Sequence, residues 1–160
     1  MRLTMLAALI SAAFLGAGLV LAKPVQIAEL EVEIAGLRSD SGVIMLGLYD
    51  NPEAFEKALD FYEKPDGFVR DRGRLLGAAI RLDTGIRKTV LGGLEPGRYA
   101  VILFHDENQD GKLDKNVIGV PTEGFGFSNN ASGLLSAPDF ADALVTLGAD
   151  RTRIQIDLRY

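Results

Sequence analysis

Residues 28–34 and 153–160 both alternate one by one between apolar and polar side chains. A period of two is typical of a β-strand that buries one face and leaves the other in water. Between these runs, short phrases rich in Gly, Pro, Asp and Ser break the chain into brief apolar segments. The pattern predicts an all-β protein, a single antiparallel β-sandwich of about seven or eight strands with one short helix.

Two strand pairings are expected along this chain. Residues 28–34 and the apolar run 43–49 flank a Ser-Asp-Ser-Gly turn and are predicted to form a hairpin. Residues 117–120 are predicted to pair with residues 99–104, which would make the segment between them a hairpin connection. Residues 143–147 and 153–158 are predicted to be the closing strands.

The single helix is predicted to begin at Asn51-Pro52. Asn is a favourable capping residue, and Pro fits the first helical position because its missing N–H has no partner there. Phe55, Leu59 and Tyr62 follow at helical spacing.

The first residues have the character of an export signal. Arg2 precedes a run of uncharged, mostly apolar residues from 3 to 22, which ends in small side chains before Lys23. This pattern predicts cleavage after Ala22 and one domain over residues 23–160, located in the periplasm or secreted. An uncleaved membrane anchor is the alternative, because the run just reaches spanning length.

Composition excludes several function classes. The chain has no cysteine, so it has no disulfides and no lipid-modified cysteine. Its formal net charge is −5, and no basic stripe interleaved with aromatic residues occurs, so we expect no nucleic-acid partner.

Residues 106–114 carry the pattern DxNxDGxxD, which is the spacing of a calcium-binding loop. Alternating oxygen-bearing side chains can face one side of a tight turn, and a glycine at the sixth position permits the bend. Lys112, at the seventh position, would contribute its backbone carbonyl. The pattern predicts Ca²⁺, bound with an affinity on the order of 0.1 to 1 mM. The predicted ligands are Asp106, Asn108, Asp110, Lys112 and Asp114.

The loop is not an EF-hand. Val117 occupies the twelfth position, where an EF-hand carries a bidentate glutamate, and the preceding residues favour a strand over a helix. Asp114 is available for the bidentate role. A metal-free turn remains the alternative, because Asn, Asp and Gly also build tight turns without an ion.

A second feature is the Gly-Phe-Gly-Phe-Ser-Asn-Asn segment at residues 124–130. Glycines that flank aromatic residues predict either a constrained turn or an aromatic surface for a ligand. In the alternative interpretation, both Phe side chains fold back and cover the core. The candidate ligand surface comprises His105, Phe125, Phe127, Asn129 and Asn130.

We predict no enzymatic activity. His105 is the only histidine, and an enzyme would have to use it with Asp106, Glu107 or Glu123, for instance in a metal-assisted hydrolase. A structural histidine that orients the loop is the commoner case. The chain has neither cysteine nor a GxSxG phrase for a nucleophile, and one imidazole among hard oxygen ligands disfavours zinc.

The continuous pattern over residues 96–131 resembles a family of small exported bacterial proteins known only as a domain of unknown function. The Glu-Pro-Gly-Arg-Tyr phrase at residues 95–99 is similar to one found in β-sandwich domains of the transthyretin and carboxypeptidase-regulatory kind, which have an Ig-like architecture. The resemblance implies an exported β-sandwich and no particular activity. The function expected is a non-enzymatic module that binds a protein or glycan at the cell envelope, or a metal-free structural domain.

Overall fold

The computed structural model describes residues 26–60, 70–71, 74–75, 77–82, 85–134 and 136–160. The predicted signal and the predicted last helical residue, Tyr62, lie outside this part of the chain. No helix among the described residues is long and apolar enough to cross a membrane. The elements are β1 (Ala28–Ala35), β2 (Val43–Tyr49), α1 (Pro52–Asp60), β3 (Arg70–Asp71), β4 (Arg74–Leu75), β5 (Gly77–Arg81), β6 (Lys88–Leu94), β7 (Gly97–Asp106), β8 (Phe125–Phe127), β9 (Leu144–Leu147) and β10 (Arg151–Asp157).

Eight of these strands form two sheets. One sheet has the order β10-β1-β6, and the other has the order β5-β2-β7-β8, with β9 also paired to β7. Strands β3 and β4 form a small separate hairpin. This arrangement confirms the predicted all-β sandwich.

One strand pair departs from the antiparallel prediction. Strand β10 pairs with β1 in parallel, with Val32 opposite Ile154. A parallel pair needs a long crossover connection. Here the crossover contains all the strands between β1 and β10. These two strands, the first and last that the structure describes, lie side by side and run in the same direction.

The core lies between the two sheets. Leu30 and Val32 from β1 are fully buried against Leu46 from β2 and Leu103 from β7. On the other face of β1, Glu29 and Glu31 meet the arginines of β10. The alternation of β1 therefore separates a dry face from a charged one, as the sequence predicts.

The predicted hairpin of β1 and β2 is wrong. The two strands lie in different sheets, where β1 pairs with β10 and β6, and β2 pairs with β5 and β7. Both strands bury an aliphatic face in the same core, so they pack across it. Gly42 (φ 81°) lies in the connection, and a Cβ at this position would come within 2.1 Å of the Asp106 carbonyl oxygen. The close approach therefore requires glycine.

The predicted pairing of residues 117–120 with β7 is also wrong. Strand β8 occupies that place, with Ile102 opposite Phe127. Residues 116–120 form a tight turn instead, in which the Asn116 side-chain oxygen accepts the backbone N–H groups of Ile118 (3.1 Å) and Val120 (3.0 Å). This local bonding competes with the sheet for the backbone donors and leaves Val117 fully exposed.

Helix α1 packs on the outer face of the five-stranded sheet. The Asn51 side chain accepts the N–H of Ala54 (2.9 Å) and caps the helix as predicted. Phe55 is fully buried and meets the rings of Tyr49, Phe127 and Phe140 at centroid separations of 5.5–6.2 Å. The outer face of this sheet is therefore apolar and partly covered.

Candidate functional site

His105 lies inside the sandwich at the base of the acidic loop. Its Nε2 is 2.7 Å from the Ser41 carbonyl oxygen, and its Nδ1 is 2.7 Å from the Tyr160 hydroxyl. Because a carbonyl only accepts, Nε2 carries the proton, and in the neutral ring Nδ1 accepts from Tyr160. The side chain is fully buried, so both ring nitrogens are engaged within the protein.

A second contact closes the same end of the sandwich. The Arg38 guanidinium bonds the Glu107 carboxylate and lies 4.3 Å from the centre of the Tyr160 ring. Ser39 donates its hydroxyl to Glu107 (2.8 Å). The hydrogen bond from Arg38 is the main reason that the pKa of Glu107 lies below its ordinary value. Glu107 is thus a charged structural partner of Arg38.

Asp106 organises the acidic loop from within. Its carboxylate is buried and accepts the N–H of Asp110 (3.1 Å) at one oxygen and the N–H of Gly111 (2.9 Å) at the other. Gln109 and Gly111 both have positive φ, 62° and 81°. The chain therefore folds back over the Asp106 carboxylate.

The remaining predicted ligands also bond within the loop. Asn108 accepts the Asp110 N–H through Oδ1 (3.0 Å) and donates Nδ2 to Asp114 (3.0 Å). Asp110 accepts the N–H of Lys112 (2.9 Å). The structure thus brings the predicted residues into one turn.

Glu123 joins the two ends of this loop. One carboxylate oxygen accepts the Glu107 N–H (2.7 Å), and the other accepts the Asp114 N–H (3.0 Å). The side chain is 4% exposed, and burial is the main reason that its pKa is raised. The charges of Asp114 and Asp106 raise it further, while the two backbone hydrogen bonds lower it.

The contacts within the loop are enough to shape a metal-free turn. Among the described residues, no three His, Cys, Asp or Glu side chains come together as a metal site requires. The proposed ligand set also draws on the Asn108 amide and the Lys112 carbonyl, which are oxygen donors suited to Ca²⁺. Calcium binding therefore stays a prediction.

A cavity of about 450 Å³ opens on the outer face of the five-stranded sheet. We call it the outer cavity. Strands β2, β7 and β8 form its floor, while α1 and the segment after the acidic loop form its walls. Its lining includes Met45, Leu59, Ile102, Phe104, Leu113 and Phe125.

The candidate ligand surface divides between this cavity and the framework. Phe125 and Phe127 both line the outer cavity, although Phe127 is buried and Phe125 is half-buried. Asn129 donates its side-chain N–H groups to the carbonyls of Asp142 (3.1 Å) and Leu144 (2.8 Å). Asn130 accepts the N–H of Asp157 (2.8 Å). Residues Ser128–Asn130 form a short 3₁₀ turn, and these two asparagines fasten it to the neighbouring strands.

Two parts of the site were not predicted from the sequence. The first is the position of Glu123 between the ends of the loop, which depends on a contact across 16 residues. The second is the outer cavity. Its signal was present in β2 and β7, which are apolar on both faces and so need cover on both.

The fold and the site define a class, a small β-sandwich protein with an apolar cavity on one sheet and an acidic turn beside it. The chain belongs to the family described as an uncharacterized protein conserved in bacteria (DUF2141), which matches residues 32–155. The predicted family resemblance is thereby confirmed. No curated protein and no solved structure matches the chain.

Proposed function

We propose that this protein is an exported, non-enzymatic binding module that holds an apolar group of its ligand in the outer cavity. The cavity itself carries the proposal. Its volume of about 450 Å³ falls within the range of small-molecule sites, which are concave and mostly apolar. The acidic loop forms one rim through Leu113, so the loop and the cavity belong to one surface.

The apolar lining narrows the choice of partner. A glycan presents hydroxyl groups, and each loses hydrogen bonds with water unless the site replaces them. The described lining consists mainly of aliphatic and aromatic side chains. We therefore favour an apolar group, carried by a small molecule or by an envelope protein, over a glycan.

The non-enzymatic character is supported by the contacts of His105. Each ring nitrogen lies 2.7 Å from a partner inside the protein, and the side chain has no exposed surface. A general base has to reach the proton it abstracts, directly or through one water. His105 in this position acts as a framework residue that holds Ser41 and Tyr160.

The binding proposal is tested by titrating prodan, an uncharged naphthalene dye whose emission shifts to the blue in apolar surroundings. We expect saturable one-site binding with a blue shift. Absence of saturable binding to the folded protein contradicts the proposal.

Calcium in the acidic loop is a second proposal. Asp106 and Glu123 are buried carboxylates. The Asp114 side chain accepts a hydrogen bond from Asn108, and its backbone N–H donates to Glu123. A bound dication would offset the repulsion among these groups. At 10 mM Ca²⁺ and the expected affinity, mass action gives about 1.4–2.7 kcal/mol of added stability.

Asp110→Asn gives a sharp test of the calcium proposal, because Asn keeps an acceptor for the Lys112 N–H and removes the charge. Melting curves are compared in 10 mM Ca²⁺ and in chelator, with Asp150→Asn, on the exposed turn before β10, as the matched control. We expect calcium to raise the melting temperature of the wild type and of the control, and to raise that of Asp110→Asn less. Equal wild-type melting curves in calcium and in chelator refute the proposal that the loop binds calcium.

Export is tested by the N-terminal sequence of the protein recovered from cells that express the full chain. The proposal requires a mature terminus at Lys23 and recovery from the periplasm or the medium. A terminus at Met1 in the cytoplasmic fraction contradicts it.

A further inference from the structure

The Tyr49 hydroxyl lies at the floor of the outer cavity without a hydrogen-bond partner among the described residues. Its side chain is 2% exposed, and its ring packs edge-on against Phe55. A Cβ placed on Gly47 would lie 2.4 Å from the Tyr49 hydroxyl oxygen, so the phenol folds back over Gly47. Both residues line the cavity.

This hydroxyl is accessible from the cavity. In the described part of the chain, every fully buried side-chain nitrogen and oxygen has a partner. The hydroxyl of Tyr49 has none, so its oxygen retains some contact with solvent. Because the residue as a whole is 98% buried and lines the outer cavity, that contact comes from the cavity side.

A tyrosine hydroxyl without a hydrogen-bond partner is unfavourable at this buried position, and a bound ligand could supply the partner. A Phe of the same shape would fill the space and avoid the partial desolvation of the hydroxyl. Burial raises the pKa of Tyr49 to about 12, so the group stays protonated and able to donate at neutral pH. The hydroxyl is thus a neutral donor facing an apolar space.

We propose that the outer cavity binds an uncharged, mainly apolar small molecule that carries a carbonyl oxygen, and that the Tyr49 hydroxyl donates a hydrogen bond to this oxygen. The inference rests on the proposed function and names its ligand chemistry. No charged side chain belongs to the described lining, so a charged ligand would find no counter-ion among the described residues. A ketone or ester carbonyl fits best, because one donor satisfies it, whereas a ligand hydroxyl or amide N–H also needs an acceptor.

The test compares two probes of nearly equal shape, 2-acetylnaphthalene and 2-ethylnaphthalene, which differ in one carbonyl. Their affinities are measured by displacement of prodan from protein purified from cells that express the full chain. Tyr49→Phe should lower the affinity for 2-acetylnaphthalene by about 2- to 13-fold, the value of one neutral hydrogen bond. The affinity for 2-ethylnaphthalene should change by less than about twofold. Tyr99→Phe is the control, because the Tyr99 hydroxyl bonds the Glu95 carbonyl (2.9 Å) and its side chain lies in the inter-sheet core, away from the described cavity lining.

The outcomes separate the two levels of the proposal. If neither probe binds the wild type, the outer cavity is no ligand site and the proposed function fails. If both bind and Tyr49→Phe changes them equally or not at all, the carbonyl inference fails while the cavity stands. Infrared spectra of bound 2-acetylnaphthalene give a second measurement on the wild type. The carbonyl stretch should lie below its position in hexane, and an unshifted band overturns the inference.

Discussion

Glu123→Gln removes one of the two acceptors that join the ends of the acidic loop. The two carboxylate oxygens accept the N–H groups of Glu107 (2.7 Å) and Asp114 (3.0 Å). A Gln side chain has one oxygen, so one of these N–H groups faces an NH₂ group instead. The lost bond to a charged acceptor costs about 1.5–3 kcal/mol.

Part of this cost is offset at neutral pH. Burial and the charges of Asp114 and Asp106 raise the pKa of Glu123, so the ionised form is disfavoured in the folded protein. Gln removes that charge, so we expect the net loss at pH 7 to be smaller than the value for the lost hydrogen bond alone. For a domain of this size, each 1 kcal/mol of net loss corresponds to a melting temperature lower by about 3–5 °C.

The assay is thermal unfolding followed by circular dichroism in chelator, with Glu56→Gln on the exposed face of α1 as the matched control. Because a raised pKa stabilises the neutral form, the advantage of the wild type over Glu123→Gln should fall as the pH rises through the Glu123 pKa. A melting temperature within about 1 °C of the wild type at pH 7 and at pH 4.5 refutes the role of Glu123 in joining the loop ends.

Three further substitutions test the framework of the site. Ser128→Ala removes a buried hydroxyl that accepts the N–H of Val101 (2.8 Å) and donates to the Ala143 carbonyl, so chemical denaturation should show a loss of about 2–5 kcal/mol; a loss below 1 kcal/mol contradicts this role. Arg38→Gln should lower the stability at pH 7 in the same assay, because the ion pair with Glu107 is lost. Because Arg38 lowers the Glu107 pKa, the loss should be largest above the ordinary value of 4.5 and should decrease as the pH falls through the lowered pKa. A loss that does not change with pH would exclude the contact with Glu107 as its source. Asn51→Ala should cost about 0.5–2 kcal/mol through loss of the helix cap, whereas Asn51→Asp should restore most of it.

Local patterns predicted the elements of this protein well. The alternation in β1 and β10 follows the faces of one sheet, and the Asn51-Pro52 phrase marks the start of α1. These signals act through the nearest residues along the chain, so one sequence is enough to find them. The acidic loop was likewise recognisable, because its hydrogen bonds join residues two to six positions apart.

Strand partners were harder to predict than strands. The chain passes from β1 to the opposite sheet, because β1 and β2 both have an aliphatic face for the same core. Alternation alone does not show whether two such strands pair side by side in one sheet or face each other across the core. Residues 117–120 are β-prone in composition, yet the Asn116 side chain takes their backbone donors. The two apolar faces of β2 and β7 indicate that the second sheet needs a cover, but the shape of the outer cavity depends on how α1 and the loop provide it, which no local pattern encodes.

The central claim is that the outer cavity receives an uncharged apolar ligand, and Ala58→Trp tests it most directly. Ala58 lies on α1 at the cavity wall and is half-buried, so the indole ring of Trp at this position can fill the outer cavity from its wall. Prodan is titrated against the wild type, Ala58→Trp and the exposed α1 control Glu56→Gln, each first shown to be folded by its melting curve. The account predicts saturable one-site binding to the wild type and the control, and a loss of affinity of at least tenfold in Ala58→Trp. Equal affinity in all three proteins, or no saturable binding to the wild type, contradicts it.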